Sequence, residues 1–217
     1  MLCTLCIMIG DVEKEVSDWR CAVLRYAEGG SFMSQSNVFY KDVLSLGVTQ
    51  IYLSSRKIDA VLQWFHPVNM DTYPPLPVFD FGDGLRLTDG HTRAYVAYRM
   101  GVKTVPVVME QDEVVTGALG QKLYRADIAW AKRHGIRSVA DLEGRVLTEP
   151  AYDVLWRRRC DRLYDLLTQA DDRTLKRLDR SREGLYLYGA SEDLTAFYYE
   201  DARGRLYVLK DQKLLPE

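Results

Sequence analysis

Hydrophobic residues recur at two different spacings along the chain, and the changes of spacing divide it into four segments. Residues 1–47 are predicted to be an N-terminal helical segment, because apolar positions over residues 12–46 follow helical spacing and glycines end each run. Residues 48–112 alternate short β-branched runs with amphipathic helices. Residues 113–182 return to helical spacing, and residues 183–217 contain aromatic runs typical of strands. The pattern predicts an α+β fold.

Residues 48–112 give the order strand, helix, strand, turn, strand, helix, strand. The run PVFDFGDGLRLT predicts a hairpin, because its Gly-Asp-Gly turn lies between two apolar runs. Pro106 predicts an edge strand or a strand start, because proline lacks the backbone N–H that a sheet requires. The runs LYLYG, TAFYYED and RLYVLK predict an antiparallel three-stranded sheet at the C-terminus that packs on the core.

Composition and charge exclude some classes of partner. The formal net charge is −2, so contact with nucleic acid would need a local basic patch. No apolar run approaches the roughly 18 residues of a membrane span. The apolar start MLCTLCIMIG is a poor signal peptide, because no basic residue precedes it and acidic residues follow. We therefore expect a cytoplasmic protein without a membrane partner.

The cysteines and histidines do not predict a metal site. Cys3 and Cys6 have the spacing of half a zinc site, but no second pair follows, and a structural zinc needs about four ligands. The four cysteines are Cys3, Cys6, Cys21 and Cys160, and the three histidines lie far apart in the sequence. We interpret the cysteines as reduced thiols, which agrees with a cytoplasmic location.

The stretch RLTDGHTRAYVAYRMG predicts an anion site where a strand turns into a helix. Gly90 lets a bulky anion approach the backbone and adopts positive φ at low cost. The first N–H groups of the helix lack partners inside it, and its dipole is positive at that end. Arg93 adds a bidentate guanidinium, Thr92 a hydroxyl and His91 a second possible donor. A phosphate fits these groups.

An alternative without a ligand explains the same residues. Asp89 or Thr92 caps the helix, and Gly90 satisfies a tight turn. Arg93 then pairs with Asp89 or with Asp80 on the neighbouring strand. Chemistry alone leaves both alternatives open.

Residues 48–110 resemble the ParB/sulfiredoxin superfamily. The resemblance rests on VTQIYLSSRKI, on LPVFDFGDGLRLTDGHTRAYVAYRMG and on KTVPVVM. In that superfamily a Gly-x-x-Arg box binds nucleotide phosphates: CTP in partition proteins, ATP in sulfiredoxins, and ADP or ATP in free-serine kinases. Gly90 and Arg93 match the box, and Asp89-Gly90-His91-Thr92-Arg93 looks most like the serine-kinase version. The resemblance therefore implies a nucleotide-binding domain over residues 48–112.

The resemblance also implies a reaction, although this chain lacks several residues that the members of the superfamily use. The box lacks the cysteine of sulfiredoxins and the Glu-Arg-Arg of partition proteins. Serine kinases use a glutamate after the first strand, where this chain has Ser54-Ser55-Arg56-Lys57. An ATP- or ADP-dependent small-molecule kinase would then use Asp89 as base or Mg²⁺ ligand, or else Asp59 or Asp71 as base. Arg56 and Lys57 add positive charge for the nucleotide, or simply form a solvated helix start.

A second class of function comes from the basic stretch Trp156 to Arg182. It sets nine basic residues against five acidic ones, and a helix-turn-helix would present such arginines to DNA. Because the acids interleave at helical spacing, an ordinary solvated face is the favoured interpretation. The basic residues are Arg157, Arg158, Arg159, Arg162, Arg173, Lys176, Arg177, Arg180 and Arg182. A non-catalytic DNA- or protein-binding module is the alternative to nucleotide binding.

The loop HPVNMDTYPPLP has two interpretations. Three prolines within four residues exclude a helix there. Loops of this kind often cover ligands, so the loop is a candidate lid near the box. The topology also requires a connection at this place, and the sequence does not decide between the two.

Overall fold

The computed structural model describes residues 38–180 and 184–217, apart from the side chains of Asp71, Asp179 and Arg180. The helices predicted over residues 12–37, the thiols of Cys3, Cys6 and Cys21, and Arg182 lie outside the described residues. Within them the protein belongs to the α+β class, as predicted.

The described chain forms ten strands and seven α-helices. The strands are β1 Phe39–Asp42, β2 Leu53–Ser54, β3 Leu76–Asp80, β4 Leu85–Leu87, β5 Thr104–Met109, β6 Val146–Leu147, β7 Leu185–Ala190, β8 Ala196–Asp201, β9 Leu206–Lys210 and β10 Lys213–Pro216. The helices are α1 Ser55–Leu62, α2 His91–Arg99, α3 Glu113–Thr116, α4 Ala118–Arg133, α5 Glu149–Tyr152, α6 Arg158–Gln169 and α7 Asp172–Arg180. A π-helical turn, Asp153–Arg157, joins α5 to α6. None of the described helices is long and apolar enough to cross a membrane.

The first sheet has the strand order β1-β5-β3-β4. β3 pairs antiparallel with β4, which confirms the predicted hairpin, and parallel with β5. β1 pairs antiparallel with β5, so the predicted helix is wrong at residues 39–42 and the predicted boundary at residue 47 divides this sheet. For the same reason β5 lies between two strands, so of the two positions predicted from Pro106 the edge strand is wrong; Pro106 lies near the start of β5, as its third residue.

Only the end of the predicted strand VTQIYL is a strand. Leu53 and Ser54 pair in parallel with β6, and the residues before them are irregular. Val48 and Ile51 are nevertheless fully buried in the core. The apolar run was therefore a correct sign of burial but an incorrect sign of strand pairing, because burial alone does not require a neighbouring strand.

Helix α2 packs its apolar residues into the main core. Ala94, Tyr95, Val96 and Ala97 are buried there with the strands of the first sheet. The first residue of the helix, His91, is buried too. Burial on nearly all sides anchors the helix and leaves its N-terminus directly beside β4.

The C-terminal sheet has four antiparallel strands in the order β10-β9-β8-β7, one more than predicted. The additional strand, Lys213–Pro216, pairs with β9 after a tight turn at Asp211 and Gln212, both at positive φ. Asp211 is a common turn residue but Gln212 is not, and the final residues are all exposed, so their sequence showed no alternation. The prediction of an antiparallel sheet is confirmed, and its strand count is wrong.

A buried charge network attaches this sheet to the helices. Arg159, which is 6% exposed, lies 3.5 Å from the Glu200 carboxylate of β8. Its guanidinium carbon is 3.0 Å from the centre of the Trp130 ring and 4.2 Å from that of Tyr188. Trp130 Nε1 donates to Glu200 at 2.8 Å, and His134 Nε2 lies 2.7 Å from its other oxygen.

Burial shifts the pKa values of this network. It lowers the pKa of Arg159 to about 10, even though Glu200 favours the charged form. It raises the pKa of the neighbouring Asp127 to about 7, with Arg159 partly offsetting the burial. Burial also disfavours charge on Glu200, but His134 and Arg159 outweigh it and hold the pKa of Glu200 below its usual value.

Replacing Glu200 by Ala should destabilise the protein by about 3–5 kcal/mol, because it leaves the buried Arg159 without its charge partner. Urea denaturation followed by circular dichroism measures the change. The matched control is Glu143→Gln, which breaks the exposed pair with Arg99 and should leave stability nearly unchanged. Equal effects of the two substitutions would contradict the importance of the buried network.

Candidate functional site at the start of helix α2

The turn before α2 has the geometry that the sequence predicted. Gly90 is the residue preceding the helix, with φ 76 and ψ 17, a left-handed conformation that favours glycine. Gly90 has no side chain with which to cap the helix, and the Asp89 carboxylate accepts a hydrogen bond from the backbone N–H of Gly90. The carbonyl of Gly90 accepts the N–H of Ala94 at 2.8 Å, which closes the first helical turn. The helix mouth, residues 89–93, is therefore formed by the backbone at Gly90, with the Asp89 carboxylate bound beside it.

The chain itself covers the open side of Gly90. A β-carbon on Gly90 would lie 2.6 Å from Cδ2 of Leu76 and 2.9 Å from Nη2 of Arg93. Gly90 is buried as a result. The sequence predicted that the missing β-carbon admits an anion, whereas in this structure Leu76 and the Arg93 guanidinium occupy the space.

Arg93 is engaged with two groups of the protein. Its Nη1 donates a 2.8 Å hydrogen bond to the carbonyl of Pro74. Its Nη2 lies 3.8 Å from the Asp89 carboxylate, and one fifth of the side chain is exposed. The sequence predicted that Arg93 pairs with Asp89 or with Asp80, and the structure shows the pair with Asp89. The Asp80 carboxylate instead accepts the backbone N–H groups of Gly82 and Gly84 in the hairpin.

Asp89 is more readily ionised than an ordinary aspartate. Burial works against its charged form, but the Arg93 guanidinium and a hydrogen bond from the Gly90 N–H favour that form, and the pKa of Asp89 lies below its usual value. A lowered pKa makes a carboxylate a weaker proton acceptor. The electrostatics therefore suit Asp89 as a partner for a cation better than as a general base.

His91 is a neutral, buried side chain. Its Nε2 accepts the backbone N–H of Thr49 at 3.0 Å, so the ring proton belongs on Nδ1. Burial lowers the pKa of His91 to about 4, against the opposing charge of Asp89. Nδ1 has no hydrogen-bond partner among the described residues. His91 thus brings no positive charge to the helix mouth and holds α2 to the segment before β2. Thr92 is half-buried beside it.

The proline-rich loop lies against the helix mouth, where the lid hypothesis placed it. Pro74 receives the Arg93 hydrogen bond, and Leu76, which follows the loop, contacts the Gly90 position. Tyr73 is 4% exposed, and its ring meets Phe65 at 5.6 Å in an edge contact. The sequence analysis missed Tyr73, although its place beside the three prolines was a usable signal.

Arg56 and Lys57 belong to a cluster around Glu149. Arg56 lies 3.7 Å from the Glu149 carboxylate, and Lys57 lies 5.7 Å from the centre of the Tyr152 ring. Ser54 donates a 2.6 Å hydrogen bond to Glu149. The parallel pairing of β2 with β6 brings these residues together, and residues 145–152 were not associated with them from the sequence.

Most basic residues of α6 and the turn before it face other parts of the protein. Arg159 is buried against Glu200, and Arg162 lies 2.6 Å from Glu217 and over the Tyr198 ring. Arg157 pairs with Glu149, and Arg158 with Asp153. Of the remaining described basic side chains in this stretch, Arg173, Lys176 and Arg177 of α7 are exposed.

Carboxylates near the helix mouth could assist a metal ion bound with a phosphate. The described residues contain no group of three His, Cys, Asp or Glu side chains placed to hold a metal. Mg²⁺ usually takes one or two carboxylates, with phosphate oxygens and water as the other ligands. Asp89 fits that need, and Glu110 accepts a 2.9 Å hydrogen bond from Thr88, the residue before Asp89. Asp59 is exposed on α1.

Comparisons with known proteins add little. No protein-family model matches the chain, and no curated protein matches it significantly. A solved structure, protein Atu1540 from Agrobacterium tumefaciens, is similar at 18% identity, with 68% of this chain and 93% of that chain covered and a TM-score of 0.35. A similarity at that level carries no argument about fold or function.

Replacing Gly90 by Ala should destabilise the protein more than replacing Gly101 by Ala. Both glycines have positive φ, 76 and 79, which costs a non-glycine residue about 1–2 kcal/mol. Only Gly90 is also confined by Leu76 and Arg93, which adds about 1–3 kcal/mol, whereas a β-carbon on Gly101 meets nothing within 4 Å. Thermal and urea unfolding of the two variants measure the difference. Equal losses would mean that the space beside Gly90 is open.

Proposed function

We propose that the protein binds a nucleotide through its phosphates at the N-terminus of α2, as a ParB/sulfiredoxin-like domain. The supporting observation is the backbone mouth at Gly90, which has positive φ and no side-chain cap. Uncapped N–H groups and the helix dipole favour an anion at this position. Arg93 lies beside this mouth. Its guanidinium can neutralise a phosphate once its contacts with Pro74 and Asp89 are broken.

In this proposal the ligand replaces the internal partners of Arg93. Phosphate oxygens replace the Pro74 carbonyl and the Asp89 carboxylate as acceptors for Arg93. The N–H groups that follow Gly90 cradle the phosphate, and the Thr92 hydroxyl orients it. Asp89, released from Arg93, is the natural ligand for a Mg²⁺ ion that arrives with the nucleotide. Arg56 and Lys57 would contribute only long-range charge, since their contacts are with Glu149 and Tyr152. A cytoplasmic location belongs to the same proposal.

Phosphoryl transfer to a small hydroxylated metabolite is a further step that the same site could perform. It needs a base, and the lowered pKa of Asp89 favours a binding module without catalysis over a kinase. A DNA-binding module is the alternative from another class. The internal pairing of Arg159 and Arg162 leaves Arg158 of α6 and the basic residues of α7 as the exposed, described basic side chains of that stretch.

Thermal shift with ATP, ADP, CTP and GTP, with and without Mg²⁺, tests nucleotide binding. A nucleotide at one hundred times its dissociation constant should stabilise the protein by about 2.7 kcal/mol. Arg93→Ala should abolish the shift. Arg99→Ala, at the other end of the same helix, is the matched control for loss of charge and should retain it. Binding of duplex DNA with a steep salt dependence, and of no nucleotide, would favour the alternative.

Asp89→Asn separates the possible roles of that carboxylate. Asp89 lies 3.8 Å from the Arg93 guanidinium and would compete with a phosphate for it, so the substitution should tighten binding of inorganic phosphate measured without Mg²⁺ by a few fold. With Mg²⁺ and nucleotide it should weaken binding, because a metal ligand is lost. Calorimetric titration of both ligands measures the two effects. An unchanged affinity for both would exclude Asp89 from the site.

A further inference from the structure

We propose that the Tyr73 hydroxyl is a second ligand-binding group of this site and donates a hydrogen bond to a phosphate oxygen. The proposal rests on the nucleotide-binding function proposed above and extends the site from α2 to the proline-rich loop. The Gly-x-x-Arg box contacts this loop through the hydrogen bond from Arg93 to Pro74, but the box motif itself does not include Tyr73.

The position of Tyr73 relative to Arg93 is the first support. Pro74, the next residue, holds Arg93 through its carbonyl, so the loop and the guanidinium are in direct contact. A ligand group that replaces the Pro74 carbonyl at Arg93 would therefore contact the loop that carries Tyr73.

The unused hydrogen-bonding capacity of Tyr73 is the second support. Its Oη is buried and has no hydrogen-bond partner among the described residues. A buried, unpaired hydroxyl costs free energy, so such atoms in a folded protein call for a physical reason. Burial raises the pKa of Tyr73, with Arg93 only partly opposing it, so the hydroxyl keeps its proton and remains a donor.

The aromatic neighbours of Tyr73 fix the hydroxyl in position. The ring centres of Phe65 and Trp64 lie 5.6 Å and 6.2 Å from that of Tyr73, and these contacts restrict rotation of the Tyr73 ring. A donor held by packing loses little conformational entropy when a ligand binds. The proposed site then offers backbone N–H groups, the Arg93 guanidinium and the hydroxyls of Thr92 and Tyr73, a set suited to phosphate oxygens.

Tyr73→Phe tests the proposal, because it removes the hydroxyl and keeps the ring. In calorimetric titrations with the nucleotide found by thermal shift, and with inorganic phosphate, the variant should bind both about three- to tenfold more weakly than the wild type. Its melting temperature without ligand should be unchanged or higher, because an unpaired buried hydroxyl is lost. Tyr98→Phe, in α2, is the matched control and should bind as the wild type does.

The outcomes separate this inference from the function on which it rests. Wild-type binding that Arg93→Ala abolishes and Tyr73→Phe leaves unchanged would overturn the role of Tyr73 and retain nucleotide binding. A lower melting temperature of Tyr73→Phe, with unchanged affinity, would mean that the hydroxyl is structural. Absence of any phosphate or nucleotide binding to the wild type would overturn both proposals together.

Discussion

The buried Arg159 guanidinium is the constraint on which the arrangement of the described chain depends. It is enclosed by two aromatic rings and paired with Glu200, so α4, α6 and the C-terminal sheet meet at one charge. A buried charge without its partner is costly, and this cost makes the position of the sheet specific rather than merely hydrophobic. The sheet is therefore part of the core structure around α4 and α6.

The internal pairing of Arg159 reduces the positive charge available for binding nucleic acid. A stretch rich in arginine looks like a nucleic-acid surface when only its sequence is considered, but Arg159 and Arg162 face the sheet. Charge that is neutralised internally attracts no phosphate backbone. The helix mouth at Gly90 differs, because its positive potential comes from backbone dipoles as well as Arg93, with Asp89 as the negative charge beside them.

Residues of the protein itself fill the helix mouth, and a ligand would have to displace their contacts. Arg93 holds the Pro74 carbonyl and lies near Asp89, while Leu76 fills the space beside Gly90. The free energy of binding is only the difference between the contacts that a ligand makes with Arg93 and the internal contacts that Arg93 makes in the unliganded protein. The proposed function therefore requires a phosphate whose contacts with Arg93 and the backbone are stronger than these internal ones.

The sequence by itself determined the local features: the hairpin, the glycine turn into α2, the helices α1, α4 and α6, and the strand nature of the C-terminus. These depend on turn chemistry and periodicity, which act between near neighbours. Tertiary structure decided that residues 39–42 join the first sheet, that Pro106 lies in an inner strand, and that Lys213–Pro216 add a fourth strand. It also decided that Arg93 meets Pro74 and that Arg56 meets Glu149, because partners distant in sequence leave no local signal.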